Sequence, residues 1–225
     1  MFGIEFTEAG LLNFFAPFAY QPFQVYTFVI CFMFASSFGL PIPEELTLIA
    51  VGLVANMGQH PEIYPPPTPG AQPIGVGSLC LVAFFAVFLS DVLVYLIGKY
   101  FGAKIIKTKF FQKQVAGAGW DKVNSWFQRF GGWACGIFRF TPGIRFPGHL
   151  SCGLLGIPLW KFCLIDGLAA LISVPTQVYL IATYGRIVLS YLKEVKMYIL
   201  MAAGIALVVW LGRKIYLKNT AKSSL

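Results

Sequence analysis

The sequence predicts an all-α polytopic membrane protein in which spanning helices combine with two opposed re-entrant helical hairpins in an inverted-repeat architecture. Three observations carry that prediction. Apolar residues make up 57% of the 225-residue chain and charged residues only 12%, about half of the roughly 25% that covers a soluble domain. Two stretches, 79–98 and 162–184, are predominantly apolar over the about 20 residues a spanning helix needs. Two further apolar regions, 23–57 and 133–158, are broken near their centres by prolines and charges.

The net charge of +8 could point to nucleic acid, but its distribution argues against that. The first Lys or Arg in the chain is Lys99, and basic residues then cluster between Lys99 and Arg129 and again from Arg213 to Lys222. That is the pattern left when basic residues are retained on the cytoplasmic side of a membrane. The cysteines at 31, 80, 135, 152 and 163 are odd in number, form no C-x-x-C pair and lie in apolar surroundings. They read as small buried hydrophobes, with no disulfide frame and no metal site.

The elements follow in order as one transmembrane domain over 1–225. Residues 1–22 lack a basic leader and carry Glu5 and Glu8, so they read as an interfacial amphipathic helix rather than a cleavable signal peptide. Residues 23–57 are interrupted by "GLPIPEE" and suit a first re-entrant hairpin, since irregular backbone at membrane depth must be buried in protein or face a wet cavity. A Pro-rich loop over 61–75 precedes the first spanning helix, 79–98. Residues 104–130 are basic and aromatic, with Trp120, Val123, Phe127 and Phe130 at helical spacing, as in a cytoplasmic helix lying on anionic headgroups. A second hairpin over 133–158 is broken by "FRFTPGIRFPGHLSCGLLG". The spans 162–184 and 197–212 follow, the latter ending in the interfacial anchors Trp210 and Arg213.

With hairpins at both breaks, the N-terminus and the loop 58–77, neither holding Lys or Arg, lie outside. The stretch Lys99–Arg129 and the C-terminus then lie in the cytoplasm. Against this stands 186–196, where Arg186, Lys193 and Lys196 would face outward. A full span over 23–40 would instead place the N-terminus inside. "VYLIGKYFG" (94–102) resembles "VYLIATYGR" (178–186); each closes a spanning helix that follows a broken region, and the two helices run in opposite directions. Inverted repeats of this kind bring broken helices together near the midplane, where substrate sites form.

Seven ionisable residues fall in or beside the apolar segments: Glu44, Glu45, Asp91, Arg139, Arg145, Lys161 and Asp166. Each would cost about 2.5–3.5 kcal/mol at the bilayer centre, so most must face protein, water or one another. Glu44 and Glu45 follow Pro43, which suits the first position of a half-helix whose positive end favours a carboxylate. They are candidates for proton exchange, or one simply caps the helix. On an unbroken helix Arg139 and Arg145 would point about 240° apart, whereas a break at Pro142–Gly143 lets both converge. Paired guanidiniums suit a phosphate; the alternative is that they only neutralise Glu44, Glu45 or Asp91. Asp91 lies mid-helix and is functional or ion-paired. His149 is a possible proton relay, or an ordinary hydrogen-bonding residue. Asp166 and Lys161 read as membrane-edge residues with interfacial roles.

"GLPIPEE", "SDVLVYLIGKYFG" and "FRFTPGIRFPGHLSCGLLG", in this order, resemble the DedA family, also called the SNARE-associated Golgi protein or VTT-domain family, over roughly residues 25–210. The F-R-F-x-P-G-x-R core at 138–145 is the most specific part. The resemblance implies an integral membrane protein with two opposed re-entrant hairpins that moves lipids between leaflets. Undecaprenyl phosphate is the substrate of bacterial relatives, and some members depend on the proton motive force. It places the essential acid at Glu44 or Glu45, the two arginines at Arg139 and Arg145, and the Gly-Asp pair at Ser90-Asp91, where Ser departs from the usual Gly.

The function expected is therefore translocation of a lipid phosphate across a bacterial inner membrane, with Arg139 and Arg145 on the phosphate and Glu44 or Glu45 with Asp91 handling protons or ion pairs. No enzymatic activity, cofactor, metal or nucleic acid is expected. The partner is a lipid with a phosphate headgroup, and self-association of the chain is left open. Proton-coupled transport of a small solute and a non-transporting membrane-organising role are the alternatives.

Overall fold

A computed structural model of the chain describes residues 14–37, 44–105, 118–141, 144–185 and 187. Most of the expected interfacial helix over 1–22, both apices (38–43 and 142–143), the start of the amphipathic segment and the span 197–212 lie outside the described residues. The chain divides into two compact units, Met1–Thr183 and Tyr184–Leu225, and both broken regions belong to the first.

All regular structure among the described residues is helical. A short 3-10 turn, Ala16–Tyr20, leads into α1, Pro22–Ser37, which opens on a proline where no backbone N–H is needed. Helix α2, Glu44–Gly58, carries both glutamates in its first turn, opposite the positive end of the helix dipole. The two form a hairpin. A Cβ on Gly58, at the end of α2, would touch Ala19, just ahead of α1. The Pro-rich loop is pinned over this open end, with Tyr20 Oη donating to the Tyr64 carbonyl at 2.7 Å and Ile74 N–H to the Ala19 carbonyl at 2.9 Å.

Helix α3, Val76–Ile105, takes in the residues at 104–105 that the sequence assigns to the amphipathic segment. That segment is described as α4, Ala118–Phe130. Its apolar face meets protein: Val123 is fully buried, and the rings of Trp126 and Phe127 lie 5.8 and 5.2 Å from that of Phe138. The second broken region is another hairpin, of α5, Ala134–Arg139, and α6, Arg145–Leu154. Its arms pair near the open end through Cys135 and Cys152, whose sulfurs lie 2.7 Å apart, and nearer the tip through Gly148 against the Phe138 ring. All five cysteines are free, and Cys31 is exposed rather than buried.

Helix α7, Leu159–Gly185, runs antiparallel to α3: Cys80 donates to the Pro175 carbonyl, Phe88 lies over Gly167, and Tyr95 stacks on Phe162 at 4.7 Å. Only 39% of the most apolar window of α3 and 28% of that of α7 is buried, whereas the core helix of a soluble protein would be mostly covered. Leu81, Phe85 and Leu89 on α3, with Leu168, Leu171 and Ile172 on α7, stand more than half exposed, an apolar surface suited to lipid.

The interior holds two apolar clusters. One joins Val29 and Met33 of α1 and Leu48 of α2 to Val87 and Val174. The other joins Cys135, Phe138 and Cys152 of the second hairpin to Tyr95 and Phe162. Both long helices serve both clusters, and each carries a buried aspartate, Asp91 or Asp166, at the seam between them.

Candidate anion site at the meeting of two hairpin tips

Residues that flank the two breaks meet at that seam. Glu44 opens α2; Arg139 closes α5; Arg145 opens α6. Pro147 falls in the first turn of α6, where a missing N–H breaks no helical bond, so the helix begins at Arg145 directly after the break. His149 follows one turn later on the same face, which directs both side chains at α3.

Asp91 is the hub. Arg145 donates to it from Nε at 3.1 Å and from Nη2 at 2.7 Å to each oxygen. Arg139 Nη2 also donates to Asp91 Oδ2, and His149 Nδ1 lies 3.1 Å from Oδ1. Asp166 of α7 takes the other face of Arg139, accepting from Nε at 3.0 Å and Nη2 at 3.1 Å, a fork-on-fork pairing. His149 Nε2 lies 3.4 Å from Asp166 Oδ1. Glu44 closes the remaining side: one carboxylate oxygen pairs with Arg145 Nη1, and the other lies 3.9 Å from Arg139 Nη1.

These charges are compatible with an apolar interior only because each faces an opposite one; an isolated ion there would cost several kcal/mol. The pairing is still incomplete. Among the described residues Arg139 Nη1 and His149 Nε2 are buried without a hydrogen-bond partner. Exposure is also uneven. The side chains of Arg139, Asp91, Asp166 and His149 are at most 3% exposed, against 17% for Arg145 and 12% for Glu44, so the cluster opens where Glu44 meets Arg145.

Of the residues singled out by sequence, the structure gathers Glu44, Asp91, Arg139, Arg145 and His149. Glu45 is exposed. Ser90 is buried and turns its hydroxyl back onto the Val87 carbonyl at 2.7 Å. Asp166 is a correction: it is fully buried in the cluster and paired with Arg139, not a side chain free for an interfacial role. The ten residues of α6 rise only about 15 Å, so a residue in the second turn of α7 already lies level with Arg139 and pairs with it.

Asp91, His149 and Asp166 present ligand atoms within 4.8 Å of one another, a donor set that sequence did not bring together. Guanidinium groups already bind both carboxylates. The set is therefore cation-occupied and works as an ion-pair cluster.

Support for the site comes from a tight helix crossing. A Cβ on Gly98 of α3 would run into the Leu150 carbonyl, and one on Gly153 of α6 into the Tyr95 carbonyl. Glycine on both sides lets the backbones touch and holds Arg145 and His149 over Asp91. The Tyr95 hydroxyl donates to the Ile157 carbonyl at 2.5 Å, while Phe162 meets the His149 ring edge-on at 5.4 Å.

The VTT domain family matches residues 42–183, a range that contains every member of the cluster. A protein described as an uncharacterized membrane protein from Haemophilus influenzae is 30% identical over 171 residues, spanning 76% of this chain and 72% of that protein. No solved structure matches the chain.

Proposed function

The chain belongs to the VTT-domain (DedA-type) family of membrane proteins, and on that premise we propose that it translocates a lipid phosphate, with the headgroup taking the place of the Glu44 carboxylate between Arg139 and Arg145. The observation that carries this reading is Arg139 Nη1, a buried donor without a hydrogen bond, facing Glu44 across 3.9 Å. A network built only to neutralise charge would gain by closing that gap. A tetrahedral phosphate is larger than a carboxylate and offers more acceptor oxygens, so it can engage both Nη1 groups while Asp91 and Asp166 keep the other guanidinium edges in place.

The architecture supports the same reading. Helices α1 and α2, with 16 and 15 residues, are about 24 and 22 Å long, and α5 and α6 are shorter. None matches the about 30 Å hydrocarbon core. Two such hairpins, entering from opposite sides and meeting through Glu44, Arg139 and Arg145 beside their breaks, would leave a thin barrier, as in an inverted repeat with alternating access. Protonating Glu44 weakens its hold on Arg145 and frees the position for phosphate, which couples transfer to a proton gradient. The substrate class is undecaprenyl phosphate or a related lipid phosphate in a bacterial inner membrane, with the C-terminus in the cytoplasm.

The test is headgroup transfer in reconstituted vesicles. Arg139→Ala should abolish it while the protein still inserts; transfer at the wild-type rate would reject the proposal. Flux of a soluble ion without lipid movement would favour the small-solute reading instead.

A further inference from the structure

The cluster holds three carboxylates (Glu44, Asp91, Asp166) against two guanidiniums (Arg139, Arg145). The sum, −3 + 2 = −1, leaves a net negative charge in a place where uncompensated charge is expensive. It also leaves nothing positive over for an incoming anion, because exchanging Glu44 for a phosphate returns the site to −1 or lower.

His149 is the remaining member, and its surroundings are those of a cation. Its Nδ1 is hydrogen-bonded with Asp91 Oδ1 at 3.1 Å, and its Nε2, buried without a hydrogen bond, has Asp166 Oδ1 as a neighbour at 3.4 Å. A neutral imidazole has one N–H and one lone pair. Whichever tautomer it took, the lone pair would be turned on a buried carboxylate oxygen. Only with protons on both nitrogens do both edges attract. Four charged groups surround it. They are Asp91 from α3, Asp166 from α7, Arg145 one turn earlier on its own helix, and Arg139 from α5, which shares both aspartates with it. The Phe162 ring covers one side, and the side chain is 1% exposed, so bulk water does not compete for the two carboxylates.

We propose that His149 is held as an imidazolium bridging Asp91 and Asp166, a fixed charge that brings the cluster to neutrality with Glu44 in place and to +1 once Glu44 is protonated or displaced. This rests on the phosphate reading and deepens it. His149 is a positioning residue that sets the sign of the site, so that a phosphate bearing a single negative charge restores neutrality. It occupies the role of a third cation and does not pass protons along.

Two measurements on the full chain in maltoside micelles decide the matter. In 15N-histidine NMR, with the other histidine, His60, assigned by His60→Asn, His149 should show both ring nitrogens protonated at neutral pH. A neutral-tautomer spectrum overturns the proposal without the need for any variant at the site. In calorimetric titration with farnesyl phosphate, His149→Asn keeps a donor toward Asp91 and removes the charge. It should bind at least about tenfold more weakly than wild type, as loss of one charge from a buried set implies. Wild-type affinity in that variant overturns the proposal. If wild type binds no farnesyl phosphate yet His149 is doubly protonated, the phosphate reading falls and the imidazolium bridge stands.

Discussion

Asp166→Asn separates the observed cluster from a membrane-edge residue by magnitude. The change is nearly isosteric, so packing against α3 and the second hairpin is kept. What is lost is the charge facing Arg139, which donates to it from Nε and Nη2 at 3.0 and 3.1 Å. At an effective dielectric of about 20, two unit charges about 3 Å apart attract by about 5 kcal/mol before desolvation. Removing one partner from a buried pair costs about 3–5 kcal/mol. The amide keeps one acceptor but turns an N–H₂ toward the guanidinium, which offsets part of the gain. An exposed pair at a membrane edge would contribute about 1 kcal/mol or less. Thermal unfolding in maltoside micelles resolves these values, because a loss of 3 kcal/mol lowers Tm by roughly 10 °C in a chain of this size. Combining Asp166→Asn with Arg139→Gln should cost less than the sum of the two single changes, as expected for residues that share one interaction. If Asp166→Asn stays within about 0.5 kcal/mol of wild type, the buried pair contributes nothing and the reasoning fails.

Further outcomes follow from the same geometry. Gly153→Ala drives a methyl into the Tyr95 carbonyl and should destabilise by about 3 kcal/mol or more. Gly77→Ala, with open space around it at the start of α3, should be neutral or stabilising by up to about 1 kcal/mol; equal effects in unfolding experiments would contradict the close crossing. Glu45→Gln should leave headgroup transfer in vesicles unchanged, since Glu45 is exposed and outside the cluster, whereas Glu44→Gln should alter its pH dependence. The reverse pattern would assign the acid to the wrong glutamate.

Much of this was legible in the chain because charge is rare in apolar sequence. Arg139 and Arg145 with a Pro-Gly break between them, and Asp91 within an otherwise apolar span, could hardly be placed except together. The breaks between the paired short helices were legible for a related reason, since prolines beside charges cannot continue a lipid-facing helix. Choosing between Glu44 and Glu45 was beyond the sequence: neighbours on a helix point about 100° apart, and packing against the long helices decides which one faces the seam. Asp166 was misread because its place near a segment boundary suggested an interfacial side chain, whereas its pairing with Arg139 is a tertiary contact that position along a segment does not encode. The apolar face of α4 suited headgroups and a protein groove equally well, and only the position of Phe138 shows that it covers the second hairpin.

The central claim is that Glu44 and a phosphate compete for one position between two arginines, and the affinity of Glu44→Gln for a lipid phosphate tests it most directly. In maltoside micelles at neutral pH, the variant removes the resident negative charge while keeping the side chain's size. The account predicts that farnesyl phosphate binds at least about tenfold more tightly than to wild type, equivalent to about 1.4 kcal/mol. Binding that is unchanged or weaker would mean that Glu44 does not hold the phosphate's place, and would contradict the account.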